Sequence, residues 1–309
     1  MNAVILGYGV VGKGIEILAK ALDDINIKYV YVRKEKENLP YFSNNEDMVV
    51  QDDIDIVFEC LNGLEPANTL IQKALKKGKH VISSNKAVVA TYLDTYLELE
   101  EEYGGSIQVE ACVAGGIPFI DALLKLKRLE PLQGYEGIFN GTSNYILDSM
   151  QKNNLDFEDV LKEAQDKGYA EKDPSNDIDG VDVYYKTKIS NSLAFNTPIV
   201  DIPYYAGIRT IKMLDIKFIK MNNKVIRHLS ISRQIDDKII SIIAPCCMDE
   251  NDFLANVPSN YNAQKILSHS FDTLGYYGQG AGQLPTAQAM VQNALDLSLI
   301  HISEPTRRS

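Results

Sequence analysis

The sequence predicts an α/β fold: an N-terminal Rossmann-type, doubly wound parallel sheet followed by a second, α+β domain. Three observations predict it. In the first hundred residues short apolar runs alternate with helical patterns of about ten to fifteen residues, which requires right-handed crossovers and parallel strands. The first apolar run ends in Gly7-Tyr8-Gly9-Val10-Val11-Gly12. From Ile107 onward the regular alternation stops, and helical and strand patterns follow in mixed order.

Taken in order, Asn2–Leu6 reads as a strand and Val11–Leu22 as a helix. Strands are expected at Lys28–Val32 and Ile54–Glu59, a helix at Pro66–Lys77, a strand at His80–Ser83 and an amphipathic helix at Ala87–Tyr103. A strand at Ile107–Val113 leads into Ala114-Gly115-Gly116-Ile117-Pro118, and Pro118 suits the start of a helix at Phe119–Lys127. Further on, a strand is expected near Tyr135–Phe139 and helices at Asn144–Lys152, Phe157–Lys167 and Val181–Ala194. The stretch 206–250 is β-rich and irregular, and 285–296 is apolar enough to return to the first domain. The expected division is therefore 1–130, completed by helix 285–296, and 131–284. The run from Leu297 to Arg307 resembles a translated sequencing adapter, so 297–309 is expected to be a non-native tail.

Composition narrows the function. The chain has 309 residues, 45% of them hydrophobic, enough for a sizeable core, and carries a net charge of -11. That balance argues against nucleic acid or an anionic membrane as a partner, since both need a basic face. No apolar run reaches the length of a membrane span, and the N-terminus enters a strand directly, without a signal-peptide pattern. Cys60, Cys112, Cys246 and Cys247 show neither metal spacing nor a disulfide framework, as expected of free thiols in the cytoplasm. The four histidines are scattered, which makes zinc chemistry unexpected.

The glycine motif follows a strand, opens a helix and lies in a βαβ pattern, the context a dinucleotide fingerprint requires. Gly7 permits the tight turn, Gly9 lets the backbone approach a pyrophosphate, and Gly12 lets helix and strand pack closely. At the end of the second strand an NAD site places an acid; here stand Arg33, Lys34, Glu35 and Lys36. Arg33, with Lys34 or Lys36, suits a 2′-phosphate and tilts the reading toward NADP, with NAD still open. Glu35 and Glu37 also fit an ordinary solvated charge run. Ser83-Ser84-Asn85-Lys86 places Lys86 at the carboxyl edge of the sheet, where ligands bind.

The densest polar segment runs from Gly168 to Lys186. Counted from Ser175, Asp177, Asp179 and Gly180 match an EF-hand loop, but Lys186 falls where a bidentate glutamate is needed, so calcium fails. Asp182 and Lys186 share a helix face, by itself the pattern of a surface ion pair. The crowd of carboxylates before them instead suggests a site for a substrate ammonium, with a lysine near the reacting oxygen.

These segments together resemble the homoserine dehydrogenase family, over nearly the whole chain to about Asp296. The resemblance rests on GYGVVG at 7–12, NKA at 85–87, EACVAGGIP at 110–118, GIFNGTSNYIL at 137–147, GYAEKDPSNDIDGVDVYYK at 168–186 and GQGAGQLPTA at 278–287. Asn62, where a glycine is common, and the bulky Val183-Tyr184-Tyr185 are departures. The resemblance implies reversible, NAD(P)-dependent interconversion of L-aspartate 4-semialdehyde and L-homoserine, on the route to threonine, methionine and isoleucine. It implies that Glu171, Asp177, Asp182, Thr142 and Gly141 hold the amino acid, that Lys186 and Lys86 flank the reacting hydroxyl, and that Ser83 and Gly280 join Gly7–Gly12 at the cofactor. It also implies a monovalent cation, sodium in kind, at Glu110, Val113, Gly115 and Ile117, and a homodimer formed through the second domain. Three other readings stay open: a different amino-acid dehydrogenase of the same fold, a catalytically silent dinucleotide sensor, and an inactive fragment, since the adapter-like tail suggests an interrupted coding sequence.

Overall fold

The computed structural model describes residues 1–32 and 41–303, and the side chains up to Leu297. Arg33, Lys34 and Lys36, read above as the 2′-phosphate contacts, lie outside the described residues. The chain divides into two compact units, Met1–Gly116 with the chain from Ala281 on, and Ile117–Gly280.

The first unit begins β1 (Asn2–Leu6), α1 (Val10–Ala19), β2 (Asn26–Tyr31), β3 (Phe42–Ser43) and β4 (Ile56–Glu59). It continues with α2 (Ala67–Leu75), β5 (His80–Ser83), α3 (Lys86–Tyr103) and β6 (Ser106–Gln108). Ala3 to Leu6 are fully buried, as expected of a parallel strand covered on both faces. The six strands lie in the order β3-β2-β1-β4-β5-β6, all pairings parallel. The order reverses between β1 and β4, and ligands of such sheets bind at the carboxyl ends beside that switch. Register makes Leu6, Glu59 and Ser83 neighbours across β1, β4 and β5, so the loops leaving these strands share that edge.

The expected strand Ile107–Val113 is shortened. The chain leaves the sheet after Gln108 and makes a 3-10 turn at Glu110–Cys112, with the Cys112 thiol donating to the Ser83 carbonyl (3.1 Å). The expected division at 130 moves to Gly116. Phe119, on α4 (Phe119–Leu126), packs edge-on against Tyr135 (5.6 Å) and Phe139 (5.3 Å), so this helix belongs to the second core.

The second unit continues with β7 (Gly134–Ile138), α5 (Gly141–Asn153), α6 (Phe157–Asp166), α7 (Ser175–Ile178), α8 (Val181–Phe195) and α9 (Met213–Met221). Then come β8 (Lys224–Ile235), β9 (Lys238–Asp249), β10 (Asn262–Ser268) and β11 (Asp272–Gly278), in an antiparallel sheet of order β11-β10-β7-β8-β9. Of the stretch 206–250, expected to be β-rich and irregular, Met213–Met221 is a helix and 224–249 is a regular hairpin, paired from Lys224↔Asp249 to Ile235↔Lys238. Pro245 disguised it: a proline argues against a central strand, but β9 lies at the sheet's edge, where a missing N–H is tolerated. The last helix, α10 (Gln283–Ser303), lies in the first unit and runs past the expected end at 296, since no glycine or proline interrupts it before Pro305. Leu297 is buried in the first unit's core. Among the described residues no helix is long and apolar enough to cross a membrane.

Helix α1 packs on α10 at Gly14, where a Cβ would stand 2.8 Å from the Ala287 Cβ and 2.9 Å from the Gln283 carbonyl oxygen. Alanine gains about 1 kcal/mol of helix propensity over glycine, whereas forced overpacking costs about 1–3 kcal/mol. Gly14→Ala is therefore expected to lower the thermal unfolding temperature, measured by circular dichroism; an increase refutes this account of the contact.

Candidate active site

At the carboxyl edge of the parallel sheet, Gly7 adopts φ +94°, and a Cβ there would meet the Cys60 carbonyl oxygen at 2.9 Å. A Cβ on Gly12 would stand 2.1 Å from the Gly7 carbonyl oxygen, so only glycine lets α1 start this close to the turn. Gly9 has open space around it, Val10 is 64% exposed and Val11 is half-buried. Helix α1 has no side-chain cap, which leaves its first N–H groups without side-chain acceptors, a setting suited to an anion.

Tyr8 is placed differently from a plain cofactor contact. Its hydroxyl donates to Glu16, which also accepts from Tyr41 (3.0 Å) and pairs with Lys20 (2.8 Å). Burial pushes the Glu16 carboxyl upward, but these bonds outweigh it and hold the group below the usual range. The bond to Glu16 raises the Tyr8 phenol to about 12. Tyr8 and Tyr41 thus tie the glycine turn to the chain entering β3.

Ser83 bonds a residue that sequence reasoning missed. Glu59, 0% exposed, ends β4. It accepts from the Ser83 hydroxyl (2.6 Å), from Leu61 N (2.9 Å) and, at a longer 3.4 Å, from the Asn85 amide. Burial dominates over these donors and raises its carboxyl to about 7. Asn85 caps α3 by accepting from Val88 N (3.3 Å), and Lys86 is the first residue of that helix. The one signal available in the sequence was an acid closing an otherwise apolar strand, Ile56-Val57-Phe58-Glu59.

In the second unit the polar segment and the start of α5 converge on Asn140. Its side-chain oxygen caps α5 by accepting from Ser143 N (2.8 Å). Its amide donates to Asp177 (2.7 Å) and to Asp182 (2.9 Å). Lys186 pairs with Asp182 at 2.9 Å and donates to the Phe139 carbonyl at 2.6 Å. The pair is not on the surface: Asp182 is 4% and Lys186 7% exposed. Helix α8 is embedded rather than amphipathic, and its polar side chains bond inward, as Thr187 does to Ser230 (2.8 Å) and Asn191 to Ser241 (2.9 Å). Burial, and then repulsion from Asp182, raise the Asp177 carboxyl. His228 lies close by, buried, between the Ala206 carbonyl (2.9 Å) and the Ser143 hydroxyl (3.3 Å), and burial lowers it to about 4. Asn140 and His228 were both missed; only Asn140 carried a signal, as an N-cap residue before a helical run.

Other expected site residues are placed as follows. Thr142 is buried and donates to the Tyr169 carbonyl (2.6 Å). Gly141 admits no Cβ, which would stand 2.5 Å from the Asn260 carbonyl oxygen. Glu171 is exposed, and its carboxylate stands outside the Asn140 network. Gly280 packs on Asn262, whose amide nitrogen a Cβ would meet at 1.9 Å. Lys86 and Lys186 lie in different units.

The expected cation residues occupy the segment after β6. Glu110 is 3% exposed, Val113 is buried and Gly115 adopts φ +59°. No backbone N–H among the described residues donates to the Val113 or Gly115 carbonyl, whereas that of Ile117 accepts from Phe119 N (2.7 Å). Among the described residues no group of three or more His, Cys, Asp or Glu side chains is arranged to hold a metal.

The model of the homoserine dehydrogenase family matches residues 118–295, and that of the homoserine dehydrogenase NAD-binding domain matches residues 7–110. The chain belongs to the homoserine dehydrogenase family. Homoserine dehydrogenase of Neisseria gonorrhoeae is 37% identical over 85% of this chain, which spans 60% of that relative's length. That of Pseudomonas aeruginosa is 32% identical over 98% of this chain and 74% of its own. The crystal structure of a homoserine dehydrogenase from Thiobacillus denitrificans superposes with a TM-score of 0.93 at 34% identity, covering 100% of this chain and 75% of that one. The family consists of NAD(P)-dependent oxidoreductases, which agrees with a glycine turn on a Rossmann-type sheet.

Two outcomes test this description. Asp182→Ala strands a buried ammonium and is expected to cost about 3–5 kcal/mol in urea unfolding; a loss below 1 kcal/mol contradicts a buried pair. Glu59 binds its proton near pH 7 when folded and near 4.5 when unfolded, so its contribution is complete below 4.5 and is lost as pH rises through 7. Relative to the parent, Glu59→Gln should therefore gain stability between pH 4.5 and 7, by at most about 1.4 kcal/mol per pH unit. A pH-independent difference in urea midpoint counts against the raised carboxyl.

Proposed function

We propose that this chain interconverts L-aspartate 4-semialdehyde and L-homoserine with a nicotinamide dinucleotide, within the route to threonine, methionine and isoleucine. The observation that carries this reading is the cluster on Asn140 of half-buried Asp177 with buried Asp182 and Lys186. Two carboxylates against one ammonium leave an excess negative charge, which an incoming α-ammonium group neutralises. Burial, and then repulsion from Asp182, raise Asp177, and a substrate cation relieves the repulsion. Glu171, Thr142 and Gly141 complete the amino-acid pocket in this reading.

Lys186 is the proton donor to the oxygen that becomes the alkoxide, and in oxidation it takes that proton back. Asp182 and the Phe139 carbonyl hold its amine in one place, which limits the reorganisation needed when the proton moves. Lys86 is the second lysine that the family resemblance gives to the chemistry. The bound cofactor supplies or accepts the hydride. Gly7, Tyr8, Gly9, Val10, Val11 and Gly12 form its pyrophosphate turn, with Ser83 and Gly280 at the remaining contacts. Arg33 and Lys34 favour NADP over NAD by charge. Glu110, Val113, Gly115 and Ile117 would hold sodium, mainly through main-chain oxygens. The working form is a homodimer built on the second unit's sheet, which leaves Ile240 and Ile242 of β9 exposed. Four free thiols suit a reducing compartment such as the cytoplasm.

Homoserine oxidation assayed with NADP and with NAD tests the reading, with NADP expected to be preferred. Lys186→Ala is expected to lower kcat about 10²–10⁴-fold, as for loss of a general acid, with the NADPH dissociation constant changed less than about threefold. Near-parental turnover in that variant removes Lys186 from the chemistry; no homoserine-dependent reduction of either cofactor by the parent removes the activity itself.

A further inference from the structure

Glu59 occupies the carboxyl end of β4, directly opposite Ser83 in the register of β4 and β5. Its hydrogen-bond partners among the described residues are all neutral: Leu61 N, the Ser83 hydroxyl and the Asn85 amide. Three other buried carboxylates among the described residues are paired with cations, Glu16 with Lys20, Asp148 with Arg227 and Asp182 with Lys186. An ionisable group buried among neutral donors is costly, and a glutamine would satisfy much of the same geometry.

What Glu59 does is visible in the bonds around it. It fastens two loops of the ligand edge to each other. On one side Leu61 N binds its carboxylate, and the Asn85 amide reaches the Gly63 carbonyl (2.8 Å). On the other side the Ser83 hydroxyl, held by Glu59, accepts from Asn85 N (3.1 Å), and Ser84 N donates to the Glu59 carbonyl (3.0 Å). Asn85 is thereby held through both its main chain and its side chain, and its oxygen caps α3. The next residue is Lys86. Burial raises the carboxyl of Glu59 to about 7, so its bond to Ser83 is exchanged between two protonation forms near neutrality.

We propose that Glu59 is a positioning residue for the reaction: through Ser83 and Asn85 it sets the start of α3 and so the place from which Lys86 reaches the reacting group. This rests on the role given to Lys86 under the proposed function. Asn85 caps the helix in either protonation state, so Glu59 contributes aim rather than helix formation. Its loss affects Lys86 and leaves Lys186, held in the other unit by Asp182, untouched.

The test is a double-mutant cycle on homoserine oxidation with Glu59→Gln, Lys86→Ala and the double variant, each also titrated with NADPH. Glu59→Gln is expected to lower kcat about 10- to 100-fold, the size of a misplaced catalytic group, with the NADPH dissociation constant within about threefold of the parent. If Glu59 acts through Lys86, the double variant is no slower than Lys86→Ala alone. Additive losses overturn the proposal, because Glu59 then acts by another route. Parental kcat in Glu59→Gln overturns it as well. Parental kcat in Lys86→Ala refutes the role of Lys86 itself, which separates that failure from this one. Should Glu59→Gln not fold, Glu59→Asp, which keeps the charge but withdraws the carboxylate from the Ser83 hydroxyl and Leu61 N, takes its place with the same expectation and the same refuting outcome.

Discussion

A lysine ammonium has been taken almost completely out of water in the second unit, and much of that unit is arranged around it. Removing such an ion from solvent costs several kcal/mol unless the protein replaces its hydration. Asp182 supplies the counter-charge one helical turn away, and the Phe139 carbonyl supplies a second acceptor. Asp182 then needs partners of its own, and Asn140 provides one while capping α5. The same amide holds Asp177, so one asparagine links the ends of β7 and α5 to the acidic segment and to α8. Because the pair is embedded, α8 carries hydroxyl and amide side chains where a surface helix would carry an apolar stripe; Thr187 and Asn191 find partners on the facing strands, and Ser190 bonds back to the Lys186 carbonyl.

The first unit solves a different problem by a different means. Its ligand edge depends on close approach of backbone to backbone, at Gly7 against Cys60 and at Gly12 against Gly7, distances that exclude a side chain. The turn so formed is fixed from outside by Tyr8 and Tyr41 on a single carboxylate, Glu16. The neighbouring loops are fixed from beneath by another carboxylate, Glu59, with neutral donors only. Contrasting environments set the two acids apart: cation and phenol bonds hold Glu16 low, whereas burial without a cation lifts Glu59 toward neutrality.

Glycine, asparagine and glutamate thus divide the structural work by chemistry. Glycines permit contacts, asparagines satisfy helix starts and carboxylates at once, and buried acids bind loops together. Residues expected to touch ligands also serve their own unit: Ser83 spends its hydroxyl on Glu59 and Thr142 spends its own on the Tyr169 carbonyl. Their placement is accounted for by these bonds before any ligand arrives.

The alternation of apolar strands with amphipathic helices determined the parallel sheet, and the spacing of Gly7, Gly9 and Gly12 its turn, because those features are local; the family was legible only in the motifs that run from 7–12 to 278–287. Periodicity also located α5, α6 and α8 to within a few residues. It could not locate what depends on neighbours distant in sequence. The domain boundary moved to Gly116 because Phe119 joins the aromatic cluster of Tyr135 and Phe139. The hairpin of β8 and β9 was hidden because Pro245 breaks the pattern of a central strand yet sits on an edge. Spacing placed Asp182 and Lys186 on one helix face, but whether that face met water or protein was decided by the sheet on which α8 lies. Only the tertiary structure turned an ordinary i, i+4 pair into a buried one, since solvation belongs to the packed whole and not to the spacing of two residues.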